Sequence, residues 1–225
     1  TISGFELRRN ARSQRRDALI QELRNIGGEL DSVSAKARVF RAMERDFESY
    51  QKSVRLVMQE AQRGKLPNVH GPVSKLIRTD DKYTLAIEIA LGGAMQQIVV
   101  NTENDGKAAI SYLKRTGGGR ATFLPLNTIQ GKTLQENGLE NCRGFVGIAS
   151  QLVTSEDRYR GIVENLLGRT VIVNDIDAAI QMAQKYKNRF KIVTLDGQVM
   201  NAGGSMTGGS VNKDAGILSR ANELE

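Results

Sequence analysis

The chain has 225 residues, a length that suits one domain plus an extension, or two small domains, better than a single oversized core. Hydrophobic residues make up 40% and charged residues 25%. No apolar run approaches the ~18 residues needed to cross a bilayer, and the Arg-rich start lacks the apolar stretch of a secretory signal. One cysteine, Cys142, and one histidine, His70, exclude an internal disulfide and a cysteine-based zinc site, leaving a Cys–His pair as the only nucleophile and base of that kind.

The formal net charge of +7 favours a polyanionic partner such as nucleic acid. The excess is dispersed, with +4 on residues 1–63, +4 on residues 64–212 and −1 on residues 213–225. An ordinary solvated surface would look the same.

From Leu19 onward apolar residues recur at steps of three and four: Leu19, Leu23, Ile26, Leu30, Val33, Ala37, Phe40, Met43, Phe47, Tyr50, Val54, Val57 and Ala61. This spacing predicts a coiled-coil helix with one stammer near Phe40. At ~1.5 Å per residue it would reach ~65 Å and project from the rest of the chain. Gly27 and Gly28 cost about 1 kcal/mol each relative to Ala and predict a local break. Gly64, Pro67, Gly71 and Pro72 predict the end of the arm near residue 63.

The body repeats itself. Residues 76–92, LIRTDDKYTLAIEIALG, align without gaps on residues 152–168, LVTSEDRYRGIVENLLG, at an offset of 76. Each copy reads as a strand end, an acidic N-cap (Asp80-Asp81 or Glu156-Asp157), a helix and a C-capping glycine, Gly92 or Gly168. A β-branched run follows, Ile98–Asn101 or Val171–Asn174, then a second helix and a further strand, 121–126 or 191–195. The predicted fold class is α/β: two related lobes, 64–130 and 144–212, joined by a linker at 131–143. A coiled-coil arm at 1–63 precedes them and a returning helix begins at 213–225. Each lobe has an edge strand that could pair with a second copy.

No pattern supports an enzyme. Gly131-Lys132-Thr133 resembles the end of a phosphate-binding loop, but Leu126 stands where its leading glycine belongs and Pro125 opposes the loop. Gly203 to Gly209 lacks the Gly-x-Gly opening of a dinucleotide site. His70 reads as a turn residue, Cys142 as an unactivated linker thiol, and the acidic pairs as helix caps. The doublets Gly203-Gly204 and Gly208-Gly209, with Met206 between them, suit an ordered segment closely approached by another backbone. Lys114, Arg115 and Arg120 flank Gly117-Gly118-Gly119, where a mobile loop would let cations follow a phosphate backbone, with Lys132 a weaker candidate. Arg8, Arg9, Arg12, Arg15 and Arg16 read as the exposed flank of the coil.

The runs TLDGQVMNAGGSMTGGS (194–210), KYTLAIEIALGGAMQQIVV (82–100) and GRATFLPL (119–126), with the helical arm, resemble the hinge domain of bacterial SMC (structural maintenance of chromosomes) proteins. The resemblance implies a hinge that homodimerises, with Gly203, Gly204, Gly208 and Gly209 at the dimer contact. It also implies DNA binding by basic residues near the junction of hinge and coil, and the low aromatic content, 5% with no tryptophan, predicts that this binding is sequence-independent. The fragment itself would hold no cofactor. ATP and Mg would bind at distant heads outside it, where accessory subunits also attach, and the whole would be a cytoplasmic, nucleoid-associated chromosome condensation and segregation protein. Two rival classes are a nucleotide-dependent enzyme, which would need a loop this chain lacks, and a membrane-surface helix, which would need a wider apolar face than this narrow seam.

Overall fold

The computed structural model describes residues 2–45, 47, 49–211 and 216–222. They fall into two compact units, residues up to Arg45 and the body that follows.

The first unit is one helix, α1 (Ile2–Arg45). It runs through Gly27 and Gly28 without the predicted break. Within it the seam residues Leu19, Leu23, Ile26, Leu30 and Val33 are exposed, an apolar stripe of the kind that a second helix covers in a coiled coil.

The predicted arm overshoots. Phe47 adopts a left-handed backbone, φ 54°, and accepts from the Tyr50 N–H at 3.0 Å, and the chain re-enters helix as α2 (Lys52–Gln62). Phe47, Tyr50, Val54 and Val57 continue the seam spacing but are buried with Ile98, Val100, Ala109 and Leu113. Spacing of three and four marks any buried helix stripe, and only the apolar surface supplied by distant residues decides that this part packs on the body.

In the first lobe, β1 (Val69–Pro72) pairs antiparallel with β3 (Ile98–Val100), and β3 pairs parallel with β4 (Phe123–Pro125). In the second, β5 (Phe145–Ile148) pairs antiparallel with β7 (Thr170–Val173), which pairs parallel with β8 (Lys191–Thr194). The second sheet continues through β9 (Val199–Met200) to β10 (Met206–Thr207). Both antiparallel pairs carry a register shift at equivalent places, between Val69 and Gly71 and between Phe145 and Gly147, so the offset of 76 reaches upstream of the segment read in sequence.

Between the lobes, β2 (Ile77–Thr79) pairs antiparallel with β6 (Val153–Ser155). A short helix, α3 (Val73–Leu76), precedes β2. Helices α4 (Asp81–Leu91) and α5 (Glu103–Thr116) belong to the first lobe, α6 (Arg160–Leu167) and α7 (Ile176–Lys185) to the second. A 3-10 turn at Asp157–Tyr159 shortens α6 relative to α4. The returning helix appears as α8 (Ile217–Asn222), while Lys213 and Leu224, also assigned to it from sequence, lie outside the described residues.

Strand alternation builds three cores. Val99 and Ile172 point into a core shared by both lobes, which also holds Ile77, Ile87, Val193 and Leu218. Their neighbours Ile98 and Val100 face the outer core of the first lobe, and Val171 and Val173 that of the second. Continuous β-branched runs suit strands covered on both faces.

Candidate dimer and nucleic-acid interfaces

The two sheets end differently. In the first, β4 is terminal, and in the second the equivalent β8 carries β9 and then β10, which is terminal. Pro125 in β4 has no N–H to donate, as edge strands allow. Met206 and Thr207 of β10 are exposed, with Met206 57% accessible.

The four glycines around β10 are each required within the chain itself. Gly203 and Gly204 have φ of 90° and 96°, forming the turn that the Gly204 N–H closes onto Asn201 O at 2.9 Å, while the Gly203 N–H reaches Asn188 O at 2.9 Å. Gln198 stretches its amide along the strand, accepting from the Gly209 N–H at 2.8 Å and donating to Gly209 O at 3.2 Å. A Cβ on Gly208 would collide with that amide. Met206 is thus held on a hairpin whose glycines give it its shape.

Lys114 and Arg115 occupy the last turn of α5 and Arg120 follows its glycine cap. All are exposed, and none forms an ion pair among the described residues. The Arg115 guanidinium stands 5.9 Å from the Tyr112 ring centre. A cation there also complements the negative end of the helix. The loop between them is not free. Gly117 caps α5 in the left-handed region, the Gly118 N–H donates to Leu113 O at 2.9 Å, and Gly118 is packed so tightly on Leu113 and Leu56 that a Cβ would clash. The predicted mobile loop is an ordered helix cap, because the last carbonyls of α5 need donors.

Lys132 lies apart from these three in sequence and in fold, in the linker that runs along α6. The Leu134 N–H donates to Gly168 O at 2.8 Å and Asn165 Nδ2 to Gln130 O at 3.1 Å. Gly168 has φ −67°, so unlike Gly92, φ 51°, it closes its helix without a positive φ. A side chain there would strike the backbone carbonyls of Lys132 and Glu164. The Gly131-Lys132-Thr133 segment is a strap on a helix, fastened by the backbone groups on either side of it, Gln130 O and the Leu134 N–H.

The predicted acidic caps are placed correctly but act differently. Asp80 and Glu156 stand at N-cap positions without a side-chain cap bond, and pair with Lys82 at 3.8 Å and Arg158 at 2.8 Å. Side-chain capping occurs instead at Thr102 of α5 and Asp175 of α7. Thr102 and Asn68 hydrogen-bond Asp105 and hold its carboxyl below the usual aspartate value.

His70 is not in a turn but on β1, bridging the lobes: Nε2 stands 2.6 Å from Asn101 Oδ1 and Nδ1 3.0 Å from Tyr159 Oη. In the neutral ring this network assigns the proton to Nε2 and an accepting lone pair to Nδ1. Burial pushes the Tyr159 phenol up, so it stays a donor. Cys142 Sγ accepts from Lys185 Nζ at 3.3 Å and donates to Gly138 O at 3.4 Å. That hydrogen bond to the thiol raises Lys185. The histidine and the cysteine do not meet, so no nucleophile–base pair forms. Among the described residues no acidic, histidine or cysteine cluster could hold a metal, and no helix is long and apolar enough to cross a membrane.

The family profile of the SMC proteins Flexible Hinge Domain matches residues 66–183. The chain belongs to this SMC hinge family. The resemblance read in the motif runs is borne out. The hinge is 42% identical over 190 residues to the Chromosome partition protein Smc of Halothermothrix orenii, covering 83% of this chain and 16% of that one. It is 38% identical over 225 residues to the protein of that name from Bacillus subtilis, covering 98% and 18%. The chain therefore spans less than a fifth of the length of these relatives. Among solved structures, an asymmetric dimer of the Geobacillus stearothermophilus SMC hinge domain is similar at TM-score 0.79 and 41% identity, covering 86% of this chain and 78% of that one. The Pyrococcus furiosus SMC hinge domain is similar at TM-score 0.61 and 28% identity, covering 80% and 90%.

Proposed function

We propose that this chain is the homodimerisation hinge of a chromosome-partition SMC protein and that it also binds DNA through charge alone. The observation that carries the dimer is the mismatch of sheet edges: the first lobe stops at β4, where the second continues with β9 and β10. A partner's β10 added beside β4 would supply the missing strand, and a twofold axis would make the exchange reciprocal. Two such junctions, with the exposed Met206 side chains, should bury at least ~1,000 Å² in total, the area a stable dimer needs. Gly203, Gly204, Gly208 and Gly209 bring the hairpin backbone to that contact. The dimer named for the Geobacillus hinge supports this reading.

For DNA, the candidates are Lys114, Arg115 and Arg120, with Lys132 on a separate surface. Aromatic residues are 5% of the chain and tryptophan is absent, which favours phosphate contact over base stacking. The exposed seam of α1 would pair with a second helix of a coiled coil. In the whole protein, ATP and Mg would act at heads beyond these coils, where accessory subunits attach, and the assembly would work on the nucleoid. The fragment has no catalytic role of its own in this reading.

Sedimentation at several concentrations tests the dimer. The wild-type chain should have the dimer mass, and Met206→Lys, which places a charge on the docking edge, should shift it toward the monomer. A wild-type chain that stays monomeric at high micromolar concentration refutes the proposal.

A further inference from the structure

The last turn of α4 is held from two sides. Glu88, 7% exposed, accepts at Oε1 from the Leu218 N–H at 2.6 Å and the Ser219 N–H at 3.1 Å. A carboxylate of the first lobe thus satisfies first-turn donors of the returning helix, which would otherwise lack partners. Gly216 lies so close that a Cβ would collide with the same carboxylate. Leu218 is anchored in the shared core beside Ile87 and Leu91.

The next two residues of α4 face the other lobe. Lys191 of β8 donates from Nζ to Ala90 O at 2.9 Å and to Ile89 O at 3.5 Å. This places a cation on the negative end of α4, though burial lowers the Lys191 pKa. The turn between β8 and β9 supports the same helix, for the Cβ position of Gly197 is 3.5 Å from Ile89 Cγ1 and 3.6 Å from Leu85 Cδ2. Lys191, Ile89 and Ala90, Glu88, and then Leu218 and Ser219 form a continuous line from the second sheet to the returning helix.

We infer that the last turn of α4 couples the sheet ending in β10 to the start of the returning coil, with Lys191 and Glu88 as its positioning residues. The inference rests on the reading of β10 as the docking edge. Close-packed elements shift as bodies rather than deform, so a displacement of β8 on docking is passed to the α4 carbonyls and through Glu88 to α8. Both links are hydrogen bonds to charged groups, the stronger class.

Amide hydrogen exchange on the 225-residue chain tests this with Glu88→Gln and Lys191→Met. In Glu88→Gln, exchange at Leu218 and Ser219 should speed up about tenfold, as expected for weakening a hydrogen bond to a charged acceptor. In Lys191→Met it should speed up by at least about threefold at the same two amides, although Lys191 Nζ donates to α4 and not to α8. Amides of Ile98–Val100 should keep their wild-type protection in both, showing an intact fold. If those core amides also lose protection in Lys191→Met, Lys191→Gln replaces it with the same expected result. Wild-type exchange at Leu218 and Ser219 in the Lys191 variant overturns the coupling, as does an unchanged rate in Glu88→Gln. Sedimentation of the same samples separates the two readings, since neither residue lies on β4 or β10 and both variants should remain dimers. A monomeric wild type overturns the docking reading and removes the coupling's input, whereas unchanged exchange in Lys191→Met with intact dimers overturns the coupling alone.

Discussion

Arg78 and Thr154 lie opposite each other in the β2–β6 ladder, and they are also equivalent positions of the repeat, 76 residues apart. Their neighbours pair crosswise, Ile77 with Ser155 and Thr79 with Val153, so Ile77 faces the repeat equivalent of Thr79 and Thr79 faces the repeat equivalent of Ile77. A local pseudo-twofold axis passes through this pair. The two copies of one segment join the lobes by pairing with each other, as two subunits do across a closed interface.

That ladder is reinforced by Thr79 Oγ1, which donates to Leu152 O at 2.7 Å. Thr79→Val keeps the β-branched shape and removes the donor. It should cost about 1 kcal/mol, seen as a lower urea midpoint at unchanged slope.

The capping box of α5 makes stability depend on pH in acid. Asp105 accepts from the Thr102 N–H at 2.9 Å and from Asn68 Nδ2 at 2.8 Å, and its folded-state pKa lies below the ordinary 3.8. The ionised carboxylate therefore stabilises the fold fully above the unfolded value, and this contribution is lost as pH falls through the lower folded value. Asp105→Asn should be less stable than wild type at neutral pH by about 1 kcal/mol. In pH-dependent unfolding the gap should hold at pH 6 to 8 and narrow only at pH values below 3.8.

Gly92 and Gly168 close equivalent helices for different reasons, and alanine should separate them. At Gly92 the space is open and the penalty is the positive φ, about 1–3 kcal/mol. At Gly168 the backbone angle is ordinary, but a methyl group meets two backbone carbonyls that cannot move without lifting the linker from α6. Gly168→Ala should lower Tm more than Gly92→Ala, and only Gly168→Ala should speed amide exchange at Leu134.

Gly208 and Gln198 should behave as one device. Gly208→Ala displaces the Gln198 amide from Gly209, and Gln198→Ala deletes the same bonds. Each should weaken dimerisation, and the double variant should cost little more than either alone, a coupling of about 1 kcal/mol in a double-mutant cycle read from dimer dissociation constants.

Lys114→Glu with Arg115→Glu should weaken binding to duplexes of unrelated sequence alike. The slope of log affinity against log salt should fall by about 1 for each phosphate that is no longer neutralised. An unaltered affinity at low salt removes these residues from the nucleic-acid surface.

The sequence by itself determined the secondary elements that carry strong local signals and the twofold repetition of the body. The run Ile98–Val100 and its counterpart at 171–173 became central strands because β-branched residues without alternation suit a strand covered on both sides. The motif runs 82–100, 119–126 and 194–210, taken together with the helical arm, carried the resemblance to the family that the profile match over residues 66–183 shows. What local pattern could not decide was which surface each apolar stripe meets. Phe47, Tyr50, Val54 and Val57 share the spacing of the coil but are buried in the body, since three-and-four periodicity describes a helix face and not its partner. Short strands such as β1 and β10 gave too few residues to show alternation, and exist because a neighbouring strand completes their hydrogen bonds. The reasons for Gly118, Gly168 and Gly208 lie in atoms up to tens of residues away, and so does the grip of Glu88 on a helix 130 residues later. Only the folded chain brings those partners within reach.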